Sequence, residues 1–512
     1  MGTAENGLAV AVAALRSPTL AGIVDFVAWP ELTRDGVPRA VNVANARGHL
    51  LLTAKYPDGE LLSEVPPWDA PRALPGAAGP SSDTELTLHR NSYPLPWQRL
   101  SSFFADPRSP DVVIVHAGGH YFPERGGHLG EHGSLSLVQS CAPFLLSGAG
   151  VRETGMLEDQ ARLVDVMPTL AWVAGVDRSD LVGLDGVIRD DLVTRGAAHV
   201  VGLLWDGAHP ASLLRWAQEG LLPNVARLLD RGCWLTGGAV AEFPSVTLVN
   251  HTSALTGVGP GRHGVVGNVY YDREQGRRVV PNDPATWHRT GELYRDGIAT
   301  LFEVVGRAVP GALTASVCEM TDRGATESTF ALVRAALAQD PDALGSTEPG
   351  SHEFVAAVRA LLPDPLRSPY VTSARCDEDD DYAFFSAIDL LGLATVLELW
   401  SPEAVAAGTT PLVTWWSSYT TDAAHHAGGP YSDIAADAFR DSDSRLGALL
   451  DRLLEAGVLD DTLILLTADH GFESADRSCR GDWAPTLHES LDPLGIPWRD
   501  EGPGFLYLGV AP

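Results

Sequence analysis

His199-Val-Val-Gly-Leu-Leu-Trp205 is an uninterrupted apolar run, and it ends in Asp206-Gly207. A run of that length predicts a strand buried on both faces, as in a parallel sheet. Such sheets meet their ligands beyond the C-terminal strand ends, which is where Asp206 falls. An amphipathic segment follows through Leu213, Leu214 and Trp216, Pro223-Asn224 begins another helix, and Cys233 to Val240 reads as a strand. Further on, the strand at Pro411 to Trp415 leads to Asp422, His425 and His426, and then to a helix with Ile434, Phe439, Leu446, Leu449, Leu450 and Leu453 on one face. The strand Thr462 to Thr467 ends in Ala468-Asp469-His470-Gly471. This alternation predicts an α/β fold with a doubly wound, mostly parallel sheet.

Between these elements, Glu242-Phe-Pro-Ser-Val-Thr-Leu-Val-Asn-His251 turns a loop into a helix with Thr247 at its start. A helix N-terminus offers unpaired N–H groups and positive dipole to a phosphate, so Thr247 is the candidate nucleophile, with Asn250 able to add a side-chain N–H one turn on. Three strands then end in metal-ligand chemistry: Asp206, Asp422 with His426, and Asp469 with His470. Carboxylate oxygen and imidazole nitrogen are the donors of a hydrolytic zinc site.

Upstream, short β-rich pieces from Ala21 to about Val65 predict a small antiparallel region, and Pro66 to Asp83 reads as a loop. Asp111 to Val115 is a short buried-strand run. The glycine-rich stretch Gly126 to Ser134 carries His128 and His132, and a strand at Pro143 to Ser147 and a helix over Val164 to Trp172 come after it. Residues 186–198 form a charged connector, and 272–400 mix helices with loops as a lid or insertion beside the sheet.

With 512 residues, 45% of them hydrophobic, the chain can bury a large core. Its net charge of −30 argues against nucleic acid as a bulk partner, although a clustered acidic metal site is compatible with it. Lys55 is the only lysine. Five widely spaced cysteines without a Cys-x-x-Cys pair suggest neither a disulfide framework nor a thiolate zinc site. No basic leader precedes the first apolar run, and no segment reaches about 18 uninterrupted apolar residues, so a cytoplasmic protein without a membrane partner is expected.

The ordered set Asp206-Gly207, Leu222-Pro-Asn224, Phe243-Pro-Ser-Val-Thr247, Asn250-His251, Leu255-Thr-Gly257, His263-Gly264, Asn268, Asp422-x-x-x-His426-x-x-Gly-Pro430 and Thr467-Ala-Asp-His-Gly471 resembles the alkaline phosphatase superfamily. The closest resemblance is to its type I phosphodiesterase and nucleotide pyrophosphatase branch. It implies two divalent metal ions, zinc by the ligand types. Asp422, His426 and a distant histidine would hold one, and Asp206, Asp469 and His470 the other, with Thr247 bridging as the nucleophile of a covalent phosphothreonine route. That branch places its distant histidine after the Asp-His-Gly motif. Here Gly130-Glu-His-Gly-Ser134, Ala142 to Gly148 and Asp165 to Ala171 look like that C-terminal piece moved to the front, a circular permutation that makes residues 1–185 part of the same catalytic domain as 199–512. His132 is then the missing ligand, with His128 and His488 in reserve. Thr420-Thr421-Asp422 replaces the branch's usual Glu-Pro-Asp. The expected substrate is therefore a small phosphate ester, with phosphodiesterase or nucleotide pyrophosphatase activity. Phosphomonoesterase, phosphonate hydrolase and phosphotransferase activities are the alternatives.

Overall fold

A computed structural model describes residues 2–55, 60 and 61, 93–350, 353, 356, 357, 379–502 and 504–511. The Pro66 to Asp83 loop lies outside the described residues. The eight-stranded central sheet has the order Gly155–Leu157, Gly232–Leu235, Phe144–Gly148, Thr462–Thr467, His199–Trp205, Val413–Ser418, Thr314–Val317, Glu327–Ser328. Neighbouring strands are parallel throughout, except that Phe144–Gly148 runs antiparallel to both strands beside it.

The central strands are apolar on both faces because helices cover both. Val200, Val201, Leu203, Leu204 and Leu463 to Leu466 are buried, and each large side chain contributes roughly 1.5–3 kcal/mol of burial. Gly202 stands within the run for a steric reason. A Cβ there would lie 2.2 Å from the Trp415 ring on the adjacent strand.

A second, seven-stranded sheet is antiparallel and draws on both ends of the chain. Its order is Trp498–Glu501, Phe505–Leu508, Val112–His116, Val24–Leu32, Pro38–Ala44, His49–Leu52, Glu60–Leu61. The antiparallel region read from Ala21 to Val65 is thus larger than expected, because Val112–His116 pairs on one side with Val24–Leu32 and on the other with Phe505–Leu508. The helix Gly2–Leu15 completes this meeting of the ends: its Ala11, Val12 and Leu15 share one core with Trp483, Leu487 and Leu491.

Two readings need correction. Residues 272–400 are not wholly peripheral, since Thr314–Val317 and Glu327–Ser328 extend the central sheet beyond Val413–Ser418. Within the same stretch, Asp380–Leu399 is the one helix among the described residues long and apolar enough to cross a membrane. Here its Leu393 and Val396 are buried in the central core. The span read as one strand, Cys233 to Val240, is two short strands, Gly232–Leu235 and Ala239–Val240, in different sheets.

Candidate active site

Three adjacent parallel strands end on one side of the sheet, and the candidate ligands come just after those ends. Asp206 comes directly after His199–Trp205, its N–H bonded to Ser418 O at 2.8 Å. Asp469 lies just past Thr462–Thr467, and its Oδ1 accepts the Gly207 N–H at 2.9 Å. Asp422 and His426 sit one turn apart on the helix Thr420–Gly428, with His426 Nε2 at 3.6 Å from Asp422 Oδ2. The Thr420-Thr421 departure is structural: Thr421 Oγ1 donates to Asp206 O at 2.6 Å, and Thr420 Oγ1 donates to Asp389 Oδ2.

Thr247 opens the helix Thr247–Thr256 and is buried. Ser245 Oγ does not cap that helix but donates to Ser134 O at 2.7 Å. Asn250 does not point where the sequence suggested. It is fully buried, its Oδ1 accepts the Glu242 N–H at 2.7 Å, and its Nδ2 donates to the carbonyls of Pro244 and Val246 at 3.1 Å each. The loop before the helix is compact and needs those donors, so Asn250 braces it. Asn268 is the amide at the helix start: its Oδ1 accepts the Leu248 N–H at 3.0 Å.

His132 arrives from the glycine-rich loop. Its Nε2 lies 3.2 Å from His426 Nε2 and 3.8 Å from Asp422 Oδ1. Its ring stacks on His470 with centroids 3.7 Å apart. In His132, His426 and His470, Nδ1 faces a backbone carbonyl, of Ser245, Gly130 and Gly471 at 3.0, 2.9 and 3.1 Å. That contact fixes the tautomer and leaves Nε2 as a bare donor of electrons, the arrangement of metal-binding imidazole. Of the reserves, the His128 ring lies tilted against His426 with centroids 4.1 Å apart, whereas His488 lies away on the helix Ala484–Leu491, beside Asp492.

The residues present fit divalent cations. Asp206 Oδ1, Asp422 Oδ1, Asp469 Oδ2 and His470 Nε2 are buried without hydrogen-bond partners, a cost that a bound cation removes. Among the described residues four groupings bring their donor atoms within 4.8 Å of one another: His132, Asp422 and His426; His128, Glu131 and His426; Asp206, Asp422 and His470; and Asp206, His251 and Asp469. Without a cation, burial pushes Asp422 up to about 7. Burial also holds Asp206 and Asp469 far above the usual carboxylate range, with Asp422 and Asp206 respectively adding like charge. Burial pulls His426 down to about 4 and His132 and His470 well below the usual imidazole range.

The sequence profile of the type I phosphodiesterase / nucleotide pyrophosphatase family matches residues 200–503. The chain belongs to that family. Alkaline phosphatase PafA of Elizabethkingia meningoseptica is 33% identical over 120 residues, covering 23% of this chain and 21% of that protein. An uncharacterised pyrophosphatase/phosphodiesterase of Schizosaccharomyces pombe is 33% identical over 79 residues, 14% of this chain and 16% of that one. The chain therefore aligns with about a fifth or less of these relatives' lengths. Among solved structures, phosphonoacetate hydrolase from Sinorhizobium meliloti is 21% identical over 54% of this chain and 57% of its own, with a TM-score of 0.32. The murine ectonucleotide pyrophosphatase / phosphodiesterase 5 is 16% identical over 55% and 59%, also at 0.32.

In this type I phosphodiesterase family member, His132 lies ahead of the matched segment, yet the fold sets it against Asp422 and His426. Three other histidines serve the scaffold: His209 accepts the Ser212 N–H at a helix start, His263 Nε2 meets Ser253 Oγ, and His425 Nδ1 faces Gly207 O. Of the aromatic residues near the motifs, Trp205, Trp415, Trp416, Tyr270 and Tyr419 are buried in the core, and Tyr271 is part-buried. Sequence reasoning missed Glu319 and Asp389. Asp389, fully buried, accepts the Tyr419 N–H at 2.8 Å and Arg445 Nη1 at 2.8 Å, so it ties its own helix, Asp380–Leu399, and the helix Asp433–Glu455 to the start of the helix that carries Asp422. Neither sits in a motif, and a lone acid in an amphipathic or apolar stretch carries no local signal.

Proposed function

We propose that the protein hydrolyses small phosphate esters, as a phosphodiesterase or nucleotide pyrophosphatase, through a covalent phosphothreonine on Thr247. The carrying observation is the convergence of four buried donor atoms without hydrogen-bond partners, on Asp206, Asp422, Asp469 and His470, in a chain of this family. Asp422, His426 and His132 would hold one divalent ion, and Asp206, Asp469 and His470 the other; the donor set is that of zinc. When bound, such ions supply the positive charge that lowers the pKa of an attacking hydroxyl and stabilises a leaving oxygen.

The chain's own residues supply the rest. Thr247 Oγ1 attacks phosphorus in line as the bond to the leaving oxygen breaks, and water then cleaves the phosphothreonine. Asn268 Oδ1 holds the Leu248 N–H, and the other N–H groups at the start of Thr247–Thr256 receive phosphoryl oxygens. Asn250 keeps the loop before the nucleophile in place.

We also read residues 1–185 as the displaced C-terminal part of this catalytic domain, 186–198 as its connector and 199–512 as its main part. The pairing of Phe144–Gly148 between Thr462–Thr467 and Gly232–Leu235 supports that reading. The unpaired Cys141, Cys233, Cys318 and Cys479 support a reducing, cytoplasmic setting. Turnover of bis-p-nitrophenyl phosphate against p-nitrophenyl phosphate, with and without an acceptor alcohol and a chelator, tests the function. Faster monoester turnover, transfer to the alcohol, or activity that survives complete metal removal would each overturn it.

A further inference from the structure

Glu319 belongs to none of the motifs and lies in the stretch read as a lid, yet it is fully buried beside the candidate site. The residue before it, Cys318, has a φ of 53°, a left-handed conformation that a residue with a Cβ rarely adopts. Thr329 Oγ1 accepts the Cys318 N–H at 2.8 Å and the Tyr419 hydroxyl donates to the Cys318 carbonyl, holding that turn. The turn comes after the Thr314–Val317 strand and aims Glu319 inward. Glu319 Oε1 accepts the Thr321 N–H at 2.7 Å, and Oε2 accepts Ser417 Oγ at 2.6 Å and Trp415 Nε1 at 3.1 Å. The remaining neighbour of Oε2 is His251 Nδ1, at 2.8 Å.

His251, also fully buried, sits one helical turn after Thr247. Its Nε2 faces Asp206 Oδ2 at 3.5 Å and Asp469 Oδ2 at 3.9 Å, so both ring nitrogens look at carboxylates. We propose that Glu319 and His251 act together as positioning residues that orient Asp206 towards a divalent cation. This rests on the metal-dependent reading above. The two ligand carboxylates divide their oxygens in the same way. Asp469 anchors Oδ1 on the Gly207 N–H and keeps Oδ2 without a hydrogen-bond partner. Asp206 turns Oδ2 to His251 and keeps Oδ1 without one. An anchored oxygen fixes the direction of the free one, and outer partners of this kind are worth about 10–100-fold in metal affinity. At 3.5 Å the His251 contact is that of an ion pair rather than a short hydrogen bond.

The test is a calorimetric titration of the metal-stripped, full-length chain with Zn²⁺, repeated with Co²⁺ and its visible spectrum. Wild type, Glu319→Gln, His251→Gln and Glu319→Asp are compared, and thermal unfolding in chelator controls for folding. Two ions should bind wild type. In Glu319→Gln and His251→Gln one of the two should bind about 10–100-fold more weakly. The other ion, the unfolding in chelator and the Co²⁺ spectrum at saturation should not change, and Glu319→Asp should recover most of the affinity. Unaltered affinities in the variants beside two tight ions in wild type would overturn this inference alone. A changed Co²⁺ spectrum in His251→Gln would make His251 a ligand instead, and unfolding of all three variants in chelator would make the pair merely structural; either result overturns it. A wild type that takes up no ion would overturn it together with the proposed function.

Discussion

His132 Nε2 lies 3.2 Å from His426 Nε2, although 294 residues separate the two in sequence. If His132 is a ligand, His132→Ala should remove one of two bound ions by more than the 10–100-fold expected of an outer partner. Asp422→Ala should do the same to that ion, and Asp469→Ala to the other. Metal counted by plasma mass spectrometry after gel filtration checks this, and full occupancy in His132→Ala would remove it from the ligand set.

Thr247→Ala should cut turnover by about a thousandfold or more while leaving metal content and melting temperature close to wild type, because the missing hydroxyl is the attacking group and no cap depends on it. Intact-mass measurement after a substrate pulse should show a phosphoryl adduct on wild type and none on the variant.

The metal-free protein should lose stability as pH rises from about 6.5 to 8. Asp422 and Glu131, raised by burial to about 7 and about 8, keep protons in the folded state that the unfolded chain has released, so their contribution is full at low pH and fades through those values. His128 and His426, lowered by burial to about 4, act in the opposite sense, but only below the unfolded imidazole value near 6.5. Above that the raised groups act together, since His251, which Glu319 holds above the usual imidazole value against the effect of burial, works in the same sense as the acids. Melting temperature across this range should fall without metal and stay level with saturating Zn²⁺; a level metal-free curve would contradict the burial of these acids.

A fragment of residues 195–512 should not fold cooperatively. It lacks Phe144–Gly148, the strand bonded on both sides inside the central sheet, and Val112–His116, which carries Phe505–Leu508. Two open sheet edges would remain, favouring aggregation. A sharp unfolding transition with full metal content in that fragment would show that the two parts are separate domains.

Much of the sheet was legible because a buried parallel strand is a local signal. His199–Trp205 and Thr462–Thr467 announce themselves by composition, and simple counting puts Asp206 and Asp469-His470 at their C-terminal ends. Thr247 was legible for the same reason, as the first residue of a helix. Asn250 misled: spacing sets it one turn from Thr247, but the bonding needs of a buried loop decide which way its amide turns.

By itself, then, the sequence determined the fold class, the strand ends and the donor types, because these depend on neighbours a few residues apart. The tertiary structure alone decided that Phe144–Gly148 enters the sheet antiparallel, that both chain ends build one second sheet, and that Glu319 reaches His251 from a segment read as peripheral. Those contacts join residues dozens to hundreds of positions apart. They exist only once the sheet has a strand order and each strand a direction, which no local periodicity encodes.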